Sequence, residues 1–157
     1  MDTEELRKYL LCIATAGYAD SKQERQWVRE PDRSTTIAHA EGPWRLHANF
    51  FGGEPYGGRE VVFYEQNPVW IMVYYGDVAT TVTDVKAVYS CLQGALGNAD
   101  ESLPLRGPRS FSQDGMEYTT SLSGDILRFS GVEHIWRDGE EIYSGIYAGG
   151  LINRRSE

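Results

Sequence analysis

Glu133 is the residue whose chemistry depends most on where the fold places it. In a regular strand over Ile126–Trp136, Glu133 shares a face with apolar residues such as Phe129, so its carboxylate points toward an apolar layer. A carboxylate so placed must be paired or protonated, and either state suits proton transfer or ligand capture. One alternative is a β-bulge at Gly131 that returns Glu133 to solvent. Another is a structural pairing with Arg106 or a tyrosine.

Arg106 lies in Leu105-Arg-Gly-Pro108, where the chain returns from a predicted helix to the predicted sheet. The planar guanidinium suits a carboxylate or phosphate ligand. It suits equally well the locking of a loop to backbone carbonyls. A binding role and a structural role are therefore both open for Arg106.

Aromatic residues recur in the predicted strands, where they line a cleft or fill a core. They are Trp70, Tyr74, Tyr118, Tyr143 and Tyr147. The candidate ligand-binding residues are Trp70, Tyr74, Tyr143 and Tyr147, with Arg106 or Glu133 as the polar anchor. Glu133 is also the one candidate for a catalytic general acid or base.

Signatures of other chemistries are absent from the sequence. It has no phosphate-cradling Gly-x-x-x-x-Gly-Lys, no Gly-x-Gly-x-x-Gly after a strand and no nucleophile elbow. The glycine-rich stretch Gly52–Gly58 carries no lysine and opens no helix, so we interpret it as a loop. The histidines, His39, His47 and His134, lack metal-ligand spacing. We therefore expect no metal and no cofactor.

Composition narrows the class of protein. A chain of 157 residues with 41% hydrophobic residues suits one domain, residues 1–157, with a continuous core. The net charge of −8 and the lack of a basic cluster argue against nucleic-acid binding by this chain alone. No apolar run is long enough to span a membrane, and the acidic start is unlike a signal peptide, so we expect a cytoplasmic location.

Hydrophobic periodicity predicts the elements that position the candidate residues. Helical spacing predicts helices over Asp2–Ala16 and Thr81–Leu96, the second with a capping box from Thr81 to Asp84. Residues 1–41 are predicted as the first helix and an irregular segment with a short edge strand at Ser34–Ala38. Residues 42–152 are predicted as a sheet with the second helix inserted; its strands are Trp44–Phe50, Glu60–Glu65, Val69–Tyr75, Met116–Leu122, Ile126–Trp136 and Glu141–Ala148.

Segregated strands and helices indicate an α+β fold with a mainly antiparallel, twisted sheet of six or seven strands and two helices on one face. The strand Val69–Tyr75 is apolar on both faces. Because β-branched residues pack well under helices, we assign Val69, Ile71 and Val73 to the helix-covered face. Trp70 then belongs to a second, aromatic face that is either a pocket wall or an interface.

An ordered series of short motifs resembles the bacterial DUF5680 family. The motifs are Phe51-Gly-Gly, Val61–Glu65, Pro68-Val-Trp-Ile-Met-x-Tyr-Tyr-Gly76, Arg106-Gly-Pro108, Gly124-Asp125, Phe129-x-Gly-x-Glu133, and Tyr143 with Tyr147-x-Gly-Gly-Leu-Ile152. Leu10-Leu11 followed by Gly17-Tyr18-Ala19 is similar to the family's start, so the resemblance covers nearly the whole chain.

The resemblance implies a domain of unknown function that occurs alone or after an Xre-type helix-turn-helix segment, with no catalytic residues to carry over. Members often have a histidine before the terminal Gly-Gly, where this chain has Ala148. We expect a non-catalytic module that binds or senses a small molecule or interacts with a protein. The alternatives are a small enzyme that uses Glu133 in an aromatic pocket, and a homodimer with no small-molecule site.

Overall fold

The computed structural model describes residues 1–19, 26–153 and 155. These residues form two helices and nine strands. In chain order they are α1 (Thr3–Ala19), β1 (Gln26–Arg29), β2 (Thr35–Glu41), β3 (Trp44–Gly52), β4 (Tyr56–Tyr64), β5 (Asn67–Val78), α2 (Val85–Gly97), β6 (Ser110–Gln113), β7 (Met116–Asp125), β8 (Arg128–Arg137) and β9 (Glu140–Leu151). The α+β class and the antiparallel sheet are therefore confirmed.

All neighbouring strands pair antiparallel in one sheet, in the order β1-β2-β3-β4-β5-β9-β8-β7-β6. The first five strands form one meander and the last four form another. The two meanders meet along β5 and β9, where Trp70 is opposite Leu151 and Val78 is opposite Tyr143. After β5 the chain passes through α2 to the far edge strand β6 and then returns strand by strand to the centre.

The prediction of six or seven strands was wrong because both edge strands were missed. β1 lies in the stretch that we interpreted as irregular, and its partner β2 runs on to Glu41, well beyond Ala38. Residues 20–25 of that stretch lie outside the described part of the chain. β6 is joined to β7 by Asp114-Gly115, both at positive φ (52° and 76°). An Asp-Gly turn is a strong hairpin signal that would have revealed β6.

Most strands are longer than predicted, because pairing continues into the expected turns; β8, predicted over Ile126–Trp136, is instead Arg128–Arg137. β4 begins at Tyr56, so the predicted Gly52–Gly58 loop contributes three residues to a strand. The turn between β7 and β8 lies at Ile126 and Leu127, two residues after the predicted one, and the carboxylate of Asp125 accepts the Leu127 amide.

Both helices exist, with shifted ends. The Asp2 carboxylate accepts the amide of Glu4, and α1 continues to Ala19, past the predicted end at Ala16. α2 begins at Val85, because Asp84 caps it by accepting a hydrogen bond from the Ala87 amide. Asp84 thus takes the capping role that we assigned to Thr81. Among the described residues, no helix has the length and apolarity needed to cross a membrane.

Both helices lie on the same face of the sheet, and this face carries Trp70. Trp70 and Met72 are buried in one core cluster with the α1 residues Leu6 and Leu10, while Val78 of the same face packs with α2. On the opposite face, Val73 is 48% exposed. The assignment of Val69, Ile71 and Val73 to the helix-covered face was therefore wrong. The wide Trp70 ring fills space under the helices, and its Nε1 donates to the Ile126 carbonyl at 2.9 Å.

Candidate functional site

A cavity of about 540 Å³ lies between the two helices and the inner face of the sheet. We call it the helix–sheet cavity. Most of its lining is apolar, and Trp27, one of the lining residues, is 61% exposed, so the cavity reaches the surface at β1. Its wall includes Leu10, Ile13, Phe50, Tyr56, Glu60, Trp70, Met72, Tyr74, Gln93, Leu96, Leu105 and Arg106.

Arg106 and Glu133 form a buried ion pair beside this cavity. Arg106 comes from the connection between α2 and β6, where Leu105 anchors the chain in the core. Its Nε donates to Glu133 Oε2 at 3.1 Å and its Nη2 to Oε1 at 2.5 Å, a two-pronged contact. The side chains are 4% and 2% exposed. The β8 register passes Gly131 without a bulge and shifts only between Ile135 and Trp136. The Gly131 bulge is therefore excluded, and Glu133 points inward.

Two tyrosines complete the coordination of the Glu133 carboxylate. The Tyr118 hydroxyl donates to Oε2 at 2.8 Å, and the Tyr143 hydroxyl donates to Oε1 at 3.0 Å. Each carboxylate oxygen thus accepts one hydrogen bond from Arg106 and one from a tyrosine. The Tyr56 hydroxyl lies 2.5 Å from the Tyr143 hydroxyl, so Tyr143 can accept from Tyr56 while it donates to Glu133. These contacts connect the cavity wall, at Tyr56, to the buried ion pair.

The electrostatics of the pair are reciprocal. Burial by itself would raise the pKa of Glu133. The positive charge of Arg106 and the hydrogen bonds from Arg106, Tyr118 and Tyr143 outweigh the effect of burial and hold the pKa of Glu133 below its usual range. Burial would lower the pKa of Arg106, and the negative charge of Glu133 outweighs it and raises that pKa well above the usual value. Burial, with Glu133 nearby, raises the pKa of Tyr118 and Tyr143, so both keep their protons. The pair is charged at neutral pH and the surrounding tyrosines are neutral.

Glycines make the room that this network needs. A Cβ on Gly145 would lie 2.7 Å from the Tyr143 hydroxyl, too close for a carbon atom, and 3.0 Å from the Glu133 side chain, a tight contact. A Cβ on Gly76 would overlap the same Tyr143 hydroxyl. On the neighbouring strand, a Cβ on Gly131 would overlap the ring of Tyr147. Close packing against the backbone of these glycines therefore sets the positions of the Tyr143 hydroxyl and the Tyr147 ring.

The structure places four of the six candidate residues around the guanidinium of a fifth, Arg106. The Cζ of Arg106 lies 5.4 Å from the ring centre of Tyr74 and 6.0 Å from that of Tyr147, and Glu133 joins it to Tyr143. Trp70 is separate and stacks on Phe129, which in turn contacts Tyr147.

The candidates differ in their access to the cavity. Trp70, Tyr74 and Arg106 belong to the lining of the helix–sheet cavity, whereas Glu133, Tyr143 and Tyr147 do not. Tyr56 and Glu60 also line the cavity and were not among the predicted residues. Tyr56 lay in the predicted loop, and only the pairing of Gly57 and Gly58 with β3 and β5 shows that the strand extends to it. Glu60 shares an inward-facing side of β4 with buried Val62, and that alternation was also visible.

The histidines are spread over the sheet. His134 Nδ1 lies 2.7 Å from the Glu141 carboxylate, in a partly exposed pair. His39 lies close to Cys12 and Glu41, which brings three metal-ligand residue types together where α1 meets β2.

Comparison with known proteins gives one match. The family model described as "Domain of unknown function (DUF5680)" matches residues 48–152, which include β4 to β9, α2 and every residue of the Arg106–Glu133 network. The comparisons with curated proteins and with solved structures each found no match. Because the matched segment covers more than half of the chain, the chain belongs to the DUF5680 family.

Proposed function

We propose that this domain binds a small, largely apolar ligand in the helix–sheet cavity and catalyses no reaction there. The observation that carries the proposal is the cavity itself, about 540 Å³ in the middle of the fold. Pockets for small ligands typically measure about 300–1,000 Å³ and combine apolar walls with a few polar groups. Here aromatic and aliphatic side chains form the walls, and Tyr56, Tyr74 and Arg106 supply polar groups.

Arg106 is the anchor in this proposal. A guanidinium has five N–H donors, and two of its nitrogens, Nε and Nη2, donate to Glu133. The Tyr56 hydroxyl also interacts with this guanidinium. In our proposal, an N–H group outside the two Glu133 bonds donates to a ligand oxygen in the cavity. Because Glu133 already balances the charge of Arg106, and the Glu60 carboxylate also lines the wall, the cavity has no excess positive charge. We therefore propose a neutral ligand with a carbonyl or hydroxyl oxygen and a flat apolar body.

The state of Glu133 favours binding over catalysis. A general acid or base needs a lone pair or proton within reach of the substrate. Glu133 instead accepts four hydrogen bonds within the protein, its pKa is lowered, and it is not part of the cavity lining. Its contribution in our proposal is to hold Arg106 in position.

The test is a thermal-shift screen of neutral aromatic and alicyclic compounds, with anionic analogues for comparison. A compound present at about 100 times its Kd adds about 2.7 kcal/mol of stability, which raises Tm by roughly 5–10 °C. Ala14→Phe projects a ring into the cavity from α1 and should abolish the shift. The matched control is Ala40→Phe at an exposed position of β2, and this variant should keep the ligand-induced rise in Tm. The proposal fails if no compound binds, or if hits bind Ala14→Phe as well as the wild type.

A homodimer is the second candidate function, and one observation favours it. On the face away from the helices, exposed Tyr75, Ile146 and Val132 lie opposite one another on β5, β9 and β8 and form an apolar row. Light scattering tests the idea. A dimer that Ile146→Lys converts to a monomer would support it, whereas a monomeric wild type at high concentration would remove it.

A further inference from the structure

Three side chains with different metal-binding donors converge where α1 meets β2, and none of them belongs to the Arg106–Glu133 network. Cys12 comes from α1, and His39 and Glu41 come from β2. One donor atom from each residue lies within 4.8 Å of the other two. We propose that Cys12, His39 and Glu41 bind a divalent transition-metal ion of the Zn²⁺ type.

The spacing of the donor atoms is close to that of a bound site. Ligands at about 2.0–2.3 Å from a tetrahedral zinc ion lie roughly 3.3–3.7 Å from one another. The Cys12 Sγ and a Glu41 carboxylate oxygen are already 3.3 Å apart. The donor atom of His39 lies at most 4.8 Å from the other two donor atoms. A shift of about 1 Å would therefore bring it to the spacing of a bound site.

A neighbouring hydroxyl holds the imidazole in place. The Tyr9 hydroxyl lies 3.2 Å from His39 Nδ1, and the Tyr9 and His39 rings are 5.9 Å apart. Histidines that bind metals usually have such a hydrogen-bonding partner, which fixes the ring orientation. Tyr9 is itself 4% exposed and belongs to the core, so this support is rigid.

The donor set selects the class of ion. Thiolate and imidazole ligands suit Zn²⁺ and similar ions, whereas Mg²⁺ and Ca²⁺ prefer oxygen ligands alone. Binding releases the Cys12 thiol proton to solvent, and the thiolate and the Glu41 carboxylate together balance the two positive charges of the ion. Cys12 and His39 are half-buried and Glu41 is exposed, so the ion enters from solvent and water takes the fourth position.

Cobalt(II) provides the test, because it replaces zinc and is visible. Titration of the purified protein with Co²⁺ should give a one-to-one complex with a thiolate-to-cobalt charge-transfer band and strong tetrahedral ligand-field bands, and Zn²⁺ should bleach both. Cys12→Ser should abolish the charge-transfer band, and His39→Gln or Glu41→Gln should weaken binding at least about 10-fold. Circular dichroism identifies any variant that does not fold.

Two matched controls decide the outcome. Cys91→Ser removes the other cysteine, a buried residue of α2, and His47→Gln removes a histidine of β3. Both should keep the cobalt spectrum. A charge-transfer band that persists in Cys12→Ser, or wild-type protein that shows no thiolate band with equimolar Co²⁺, would overturn the proposal.

Discussion

Replacing Glu133 with glutamine tests whether the buried pair organises the sheet interior. Glutamine has nearly the same shape, but it is neutral, and its amide group donates where the carboxylate accepted. Four hydrogen-bond donors, from Arg106, Tyr118 and Tyr143, are directed at the Glu133 carboxylate. Glutamine leaves some of these donors without an acceptor and leaves the buried charge of Arg106 without a counter-ion. Breaking a buried ion pair in this way costs about 3–5 kcal/mol. Domains of this kind are stable by about 5–15 kcal/mol, so Glu133→Gln should remove a large part of the total.

The measurement is urea unfolding at pH 7, followed by tryptophan fluorescence and analysed by linear extrapolation. Glu141→Gln is the matched control, because Glu141 is a glutamate paired with His134 but is 43% exposed, and such pairs contribute about 0–1 kcal/mol. The double variant Glu133→Gln with Arg106→Met should lose less than the sum of the two single losses, since no charge is then left unpaired. A loss below about 1 kcal/mol for Glu133→Gln, or one equal to that of Glu141→Gln, would refute this account of the pair.

Two further predictions follow from burial and charge. Trp70→Ala should lower the free energy of unfolding in urea by about 3–5 kcal/mol, because the Trp70 side chain is 1% exposed. Trp27→Ala is the control and should change that free energy by about 0.5 kcal/mol or less, because Trp27 is 61% exposed. Similar losses for the two variants would contradict the assigned burial. The lowered pKa of Glu133 means that its contribution is complete above about pH 4.3, the unfolded-state value, and is lost as the pH falls through the lower folded-state pKa. The stability difference between wild type and Glu133→Gln should therefore be constant from pH 7 to about pH 5 and shrink in stronger acid; a difference that shrinks above pH 5 would be inconsistent with a lowered pKa.

The sequence predicted those features that depend on local pattern. Alternation along β3 and the helical stripes of α1 and α2 indicated the class of fold. The parity of Glu133 indicated an inward carboxylate, but a bulge at Gly131 was an open alternative until the strand register excluded it. The edge strands were harder, since β1 has only four residues, Gln26-Trp-Val-Arg29, and shows no alternation that separates it from a loop. The segment Gln26–Arg29 is a strand because it pairs with β2, and such pairing is visible only in the folded structure.

The faces of β5 could not be assigned from propensity alone. Both faces are apolar, and the preference of β-branched residues for helix-covered surfaces pointed to Val73, which is in fact exposed. The volume under α1 decided the matter in favour of Trp70. For the same reason, spacing along the chain could not reveal the cluster of Cys12, His39 and Glu41, because its donors are neighbours only after α1 packs on β2.

The pairing of β5 with β9 divides the chain into two contiguous pieces. Residues up to Val78 contain α1 and the first meander, and residues from Val85 onward contain α2 and the second. Each piece on its own would expose one long strand edge, and the two edges are complementary in register from Trp70 opposite Leu151 to Val78 opposite Tyr143. A break in the intervening loop, residues 79–84, cuts no hairpin. We therefore expect that two separate polypeptides, divided in this loop, can reassemble the fold, with the hydrogen bonds of this central strand pair directing their association.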